Sequence, residues 1–204
     1  MALGKWDKKG VFCLEGDWDI DLRKHYSVEP VLRLLRDAEG VPYIHRRLGT
    51  IPELEYYLKK WTLKRYAGYP ILHLSFHGDP EVIWLTKSTD PRKSVTIERL
   101  AELLRGKCEG RIVHLGSCAT MHTHGSRLNR FIQETRALAV CGYTEYVEWV
   151  VSTAFEIVVF MKMQHRAFNR RGAKYILRDI EKAAPGFAKQ LGFRMIIRPN
   201  SHAR

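Results

Sequence analysis

Along the chain, short apolar runs alternate with stretches in which apolar residues recur every three or four positions, the mark of strands alternating with helices. Residues 11–14, 41–45, 69–77, 111–115, 138–141 and 193–198 read as strands. Val28, Val31, Leu32 and Leu35 share one face of a helix that Ser27 can cap and Gly40 can end. Thr50-Ile51-Pro52 opens a second helix, with Leu54, Tyr57, Leu58 and Trp61 on one face. Thr96 caps a third, which carries Ile97, Leu100, Ala101 and Leu104 and stops at Gly106. Residues 126–136 form a fourth that buries Leu128, Phe131 and Ile132, and residues 81–85 suggest a small hairpin arm. Residues 147–163 read as a long, mostly buried helix and 174–184 as an exposed one.

Strands separated by helices of ten or more residues pair in parallel through right-handed crossovers. The expected fold is therefore α/β, one domain over residues 1–204, with a mostly parallel six-stranded sheet covered by helices on both faces. In such sheets a site lies beyond the C-terminal ends of the strands, near a switch in strand order.

Composition narrows the class. With 45% hydrophobic and 27% charged residues the 204-residue chain has the balance of a folded domain and is too apolar for a disordered basic tail. Its net charge of +12 brings polyanions into consideration. Residues 161–204, however, hold eleven Lys or Arg against Asp179 and Glu181, a local net of +9, and the rest is nearly neutral. If nucleic acid binds, it binds there. There is no base-reading motif, and Trp6, Trp18, Trp61, Trp84 and Trp149 are too spread to form a stacking platform. Cys13, Cys108, Cys118 and Cys141 include no CxxC pair, and Met1-Ala2-Leu3-Gly4-Lys5 lacks the apolar run of a signal peptide, so free thiols in a reducing, cytoplasmic setting are expected. The most apolar stretch, 146–163, is interrupted by Glu148 and Glu156; no membrane span is expected.

The candidate chemistry sits after two central strands. Ile71 to Ser75 leads to Phe76-His77-Gly78-Asp79, and Ile112 to Leu115 leads to Gly116-Ser117-Cys118-Ala119-Thr120. The 41 residues between His77 and Cys118 allow one helical crossover and a loop, so parallel neighbouring strands would deliver both to the same edge. A Cys/His dyad follows, in which imidazole takes the thiol proton and leaves a nucleophilic thiolate. Gly78 lets a carbonyl approach the backbone, so the Gly78 and Cys118 N–H groups form a candidate oxyanion hole, and Gly116 and Ser117 leave room beside the sulfur. Cys13, Cys108 and Cys141 read as small core hydrophobes, and His73 and His114 as core histidines or hydrogen-bond supports.

These two blocks resemble those of the caspase-like cysteine peptidases, the group of caspases, metacaspases, legumain, gingipains and separase. The closer resemblance is to the bacterial CHAT branch. Phe76-His77-Gly78-Asp79 looks like its His-Gly block and Leu115-Gly116-Ser117-Cys118-Ala119-Thr120 like its Ser-Ala-Cys-x-Thr block, with Gly-Ser in place of Ser-Ala. Val140 to Val147, followed by Ala154-Phe155, is similar to its next strand and returning helix, so the likeness covers about residues 70–163. The resemblance implies a caspase-like three-layer sandwich and a peptidase that needs no cofactor, with His77 as general base and Cys118 as nucleophile toward a peptide or protein substrate. Substrate choice in this group rests largely on one charged pocket. Asp17, Asp19 and Glu145 all follow strands and are its candidate lining, which would select Arg or Lys before the cleaved bond. With no sensor domain in the 204 residues, an activating partner or oligomer is expected to order the site loops.

Two other readings have different consequences. His114, Cys118, His122 and His124 have the spacing H-x3-C-x3-H-x-H, but the strand end and loop would have to fold back on themselves to hold zinc, so no metal is expected. Alternatively, the chain is a non-catalytic interaction module on the same fold, binding nucleic acid through its basic C-terminal segment.

Overall fold

Each strand of a sheet sends alternate side chains to opposite faces, and in this chain both sets are apolar, so the sheet must be covered twice. The computed structural model describes residues 8–21, 23–88 and 90–199; Trp6, Arg204 and residues 1–5 lie outside the described residues. Strand β1 (Val11–Glu15) leads to helix α1 (Glu29–Glu39), β2 (Tyr43–Arg47) to α2 (Ile51–Trp61), and β3 (Ile71–Ser75) to a small antiparallel sheet of β4 (His77–Asp79), β5 (Val82–Trp84) and β6 (Ser94–Thr96). Then follow α3 (Ile97–Leu103), β7 (Ile112–Leu115), α4 (Gly125–Thr135), β8 (Ala139–Tyr143), α5 (Trp149–Gln164), α6 (Arg170–Ala183), α7 (Pro185–Gln190) and β9 (Phe193–Ile197).

The main sheet has the order β2-β1-β3-β7-β8-β9, with parallel pairing throughout except for β9, which runs antiparallel to β8. Phe12, Leu14, Leu72, Leu74, Val113 and Leu115 face α2, α3 and α4, where Trp61, Leu100 and Phe131 are buried against them. Val11, Cys13, Ile71, Ile112 and Cys141 face the other way, toward Leu32 of α1, Phe155, Val159 and Phe160 of α5, and Ile176 of α6. The α/β layering and the six-stranded, mostly parallel sheet are as the sequence pattern predicts. Among the described residues no helix is long and apolar enough to cross a membrane.

Local chemistry sets the element ends. Thr50 and Glu53 form a reciprocal capping box on α2, and the Thr96 hydroxyl accepts from the Arg99 N–H on α3 at 3.1 Å. Ser27 acts one residue further out than expected: its hydroxyl accepts from Glu29 N–H at 3.1 Å and donates to the buried Glu15 carboxylate at 2.7 Å. Helix α6 starts at Arg170, a turn before the sequence reading, because Asn169 accepts from Gly172 N–H at 2.8 Å. The strand expected over 69–77 is split. It leaves the main sheet at Ser75, the buried Phe76 forms the corner, and His77 begins a strand of the small sheet. His77 is therefore held by a second sheet and does not end a central strand.

Candidate active site

The strand order reverses at β1 and β3: the chain moves outward from β1 to β2, then returns to β3 and continues in the opposite direction to β7. The loops after β1, β3 and β7 meet at this point and supply Trp18, His77 and Cys118.

His77 is fixed by the first of these loops. Its Nε2 lies 2.9 Å from the Trp18 carbonyl, and the Trp18 indole stands edge-on to the ring with centroids 5.1 Å apart. A carbonyl only accepts, so Nε2 carries a proton, and in the neutral ring Nδ1 is the acceptor. Cys118 sits in the turn after β7. Its neighbour Ala119 has a left-handed backbone (φ 48°), a conformation costly for a residue with a Cβ, held by an Ala119 N–H bond to the Glu145 carbonyl at 2.9 Å. The Cys118 sulfur lies 3.5 Å from both the N–H and the carbonyl of Val147, just ahead of α5. His77 and Cys118 both line a pocket of about 160 Å³.

Gly78 locks the two loops together. A Cβ there would lie 2.5 Å from the Cys118 carbonyl oxygen, 2.6 Å from Thr120 Oγ1 and 2.8 Å from Ser117 Cβ. The space where a side chain at position 78 would stand is thus filled by the Cys118 turn, and that close packing requires glycine there. Gly78→Ala has to push the turns apart; it should cost about 1–3 kcal/mol of stability and slow thiol labelling of Cys118 severalfold, as read from denaturant melts and labelling kinetics on one preparation. Gly116 likewise gives its room to the core, since a Cβ would come within 2.5 Å of His73 Cε1 and 2.7 Å of Glu156 Oε1.

Of the four cysteines, Cys118 is partly exposed and Cys13, Cys108 and Cys141 are buried. Burial, with Glu15 nearby, raises the Cys13 thiol well above its ordinary value, and burial pushes Cys108 up to about 12. Those two stay protonated and inert at neutral pH.

A family model matches residues 8–196, the loops of this site included. The chain belongs to DUF6642, a family of unknown function. No curated protein matches it.

In this DUF6642 chain the expected acidic pocket does not form. Asp17 pairs with Arg47 at 3.3 Å, and Asp19 with Lys24 and Lys87, each at 3.3 Å. The Asp21 N–H and both lysines hold the Asp19 carboxyl down at about 2. Glu145 lends its backbone carbonyl to the Cys118 turn, but its side chain lies in a separate depression with His122, His124 and Arg194. None of the three lines the His77/Cys118 pocket. Arg47 and Lys87, which pair with Asp17 and Asp19, are distant in sequence, so strand-end counting does not reveal them.

The H-x3-C-x3-H-x-H spacing is not a metal site either. His114 is buried under α5, whereas exposed His122 donates from Nδ1 to the Thr144 carbonyl at 3.3 Å. A different set converges beneath Gly116. His73, His114 and Glu156 bring donor atoms within 4.8 Å of one another and are the described residues that could hold a metal ion. His73 and His114 are in register on β3 and β7, with rings stacked 5.1 Å apart. His114 Nε2 is 3.2 Å from Glu156 Oε1, its Nδ1 is 3.4 Å from Cys141 Sγ, and the Tyr143 hydroxyl is 3.4 Å from the same carboxylate oxygen. His73 Nε2 approaches the other oxygen at 3.4 Å, but neither ring nitrogen of His73 makes an aligned hydrogen bond. Burial disfavours the Glu156 anion, yet His73 and His114 outweigh it and hold the carboxyl at about 2. Burial also opposes charge on His114, but Cys141 and Glu156 overcome it and raise its pKa.

Part of the basic C-terminal segment is occupied internally. Arg166 binds Asp179 at 2.7 Å, and Arg198 binds Glu109 and the Arg136 carbonyl. From β9, Arg194 donates to the carbonyls of Met121 and Thr123, at 3.3 and 3.1 Å, and so ties down the segment after Cys118. Sequence reasoning missed Trp18, Trp149, Glu156 and Arg194 as site residues. The one available signal was Glu156, a lone carboxylate in the apolar α5, which reads from sequence only as an interruption.

Proposed function

We propose that the chain is a caspase-like cysteine endopeptidase that cleaves peptide bonds through a thioester on Cys118. The observation that carries this reading is the meeting, in one pocket, of the accessible cysteine with a histidine whose Nε2 is engaged by Trp18 and whose Nδ1 is left as the acceptor. A mostly parallel six-stranded sheet between helical layers supports it, as do the His-Gly and Gly-Ser-Cys blocks.

In this reading the Cys118 thiol gives its proton to His77 Nδ1, and the sulfur attacks the scissile carbonyl to form a tetrahedral intermediate. The N–H groups of Gly78 and Cys118 are the donors closest in sequence to the pair for the oxyanion. Collapse transfers the His77 proton to the departing amine and leaves the acyl group on sulfur. A water deprotonated by His77 then attacks the thioester, releasing the acid and restoring the thiol.

The test is labelling by electrophilic peptidyl probes, with the modified residue located by peptide mapping. Wild type should be modified at Cys118, and Cys118→Ala should not react. Labelling of Cys118 no faster than that of Cys13 or Cys108 would discard the peptidase and leave a non-catalytic module on this fold.

A further inference from the structure

We infer that the pocket beside Cys118 receives a single apolar side chain of the substrate, leucine- or phenylalanine-like, next to the bond that is cut; this rests on the peptidase reading above. Its walls are Trp18, Tyr26, Phe76, Val147 and Trp149, and among the described residues no carboxylate or permanent cation lines it. The indoles of Trp18 and Trp149 meet edge-to-face with centroids 6.5 Å apart, and Tyr26 packs on Trp149 at 5.7 Å, so three of the walls brace one another. The volume of about 160 Å³ is roughly half the lower end of small-molecule sites, about 300 Å³. It suits one side chain and not a whole ligand.

A basic side chain would find no partner in it. Two buried carboxylates adjoin its lining: Glu156 beneath Gly116, already approached by His73, His114 and the Tyr143 hydroxyl, and Glu15 next to Trp18, which accepts from Trp18 Nε1 at 2.7 Å, Ser27 Oγ at 2.7 Å and Val28 N–H at 2.8 Å, with His45 Nε2 also at 2.7 Å. Four partners fill the sites of a carboxylate. Burying an Arg or Lys charge among aromatic walls without a counter-ion is costly. Exposed apolar side chains stand close to these walls in the sequence. Of the eight exposed large apolar side chains among the described residues, four are Ile20, Tyr26, Tyr146 and Val150, which line the pocket or lie within two residues of its walls.

The experiment uses the full chain and four acyloxymethyl ketone peptides, identical except for Leu, Phe, Arg or Asp before the electrophile, with labelling at Cys118 measured as a second-order rate. The Leu or Phe probe should exceed Arg and Asp by at least about tenfold, the scale on which an apolar pocket discriminates. Tyr26→Asp, at a half-exposed wall position, should reverse the order toward Arg. If Arg or Asp matches or exceeds Leu and Phe while Cys118 remains the labelled residue, the apolar pocket is wrong and the peptidase stands. If no probe labels Cys118 ahead of the buried cysteines, both fall.

Discussion

His77→Ala is expected to slow acylation of Cys118 by about 10²–10⁴-fold at neutral pH, the range that a positioned acid–base group contributes. The half-buried ring lies outside both cores, bonded among the described residues through Nε2 to a loop carbonyl and packed on Trp18, so its loss should leave the cores intact. The thermal midpoint should therefore move little while the rate collapses. A ring-preserving variant separates a proton acceptor from mere packing. His77→Phe, which keeps the ring contact with Trp18, should be as slow as His77→Ala. A phenylalanine variant that retained most of the wild-type rate would show that the histidine only holds the loop.

The second large effect is on stability. Glu156→Leu removes the carboxylate that two buried histidines and Tyr143 approach, leaving polar groups without a partner in the core. Breaking a buried charge pair in this way costs about 3–5 kcal/mol, a large share of the 5–15 kcal/mol typical of a domain. Urea unfolding would measure it, and a loss under about 1 kcal/mol would mean that the cluster is held by packing alone. The same group predicts pH behaviour. The Glu156 carboxyl is depressed from 4.5 to about 2, so its contribution, on the order of 3 kcal/mol, is complete above pH 4.5 and drains away as pH falls toward 2. His114 has the opposite sign. Its folded pKa is raised above 6.5, so its contribution is full below that value and is lost as pH rises through the folded pKa. Wild type should lose stability at both ends, and Glu156→Leu should flatten both limbs.

What could be read from sequence depended on how local its cause was. β1, β3 and β7 are buried on both faces and therefore appear as plain apolar runs, and α2 and α3 announce their starts through Thr50 and Thr96. β6 and α7, of three and six residues, are too short to show a period. His77 and Cys118 were legible because each follows a strand of the sheet closely. The walls of their pocket were not, because Trp18 and Trp149, 131 residues apart in sequence, are brought together only by the fold. Asp17 and Asp19 misled for the same reason: Arg47 and Lys87, which neutralise them, reach them only through tertiary structure.

The Arg194 tether gives the order of synthesis a meaning. Roughly 75 residues separate it from Cys118, about 4–15 s of translation. During that interval a nascent chain has made both His77 and Cys118 but not the strand that fastens the segment behind Cys118. The pocket is completed by a strand made well after its walls, so on the ribosome the Cys118 segment stays unfastened until β9 docks.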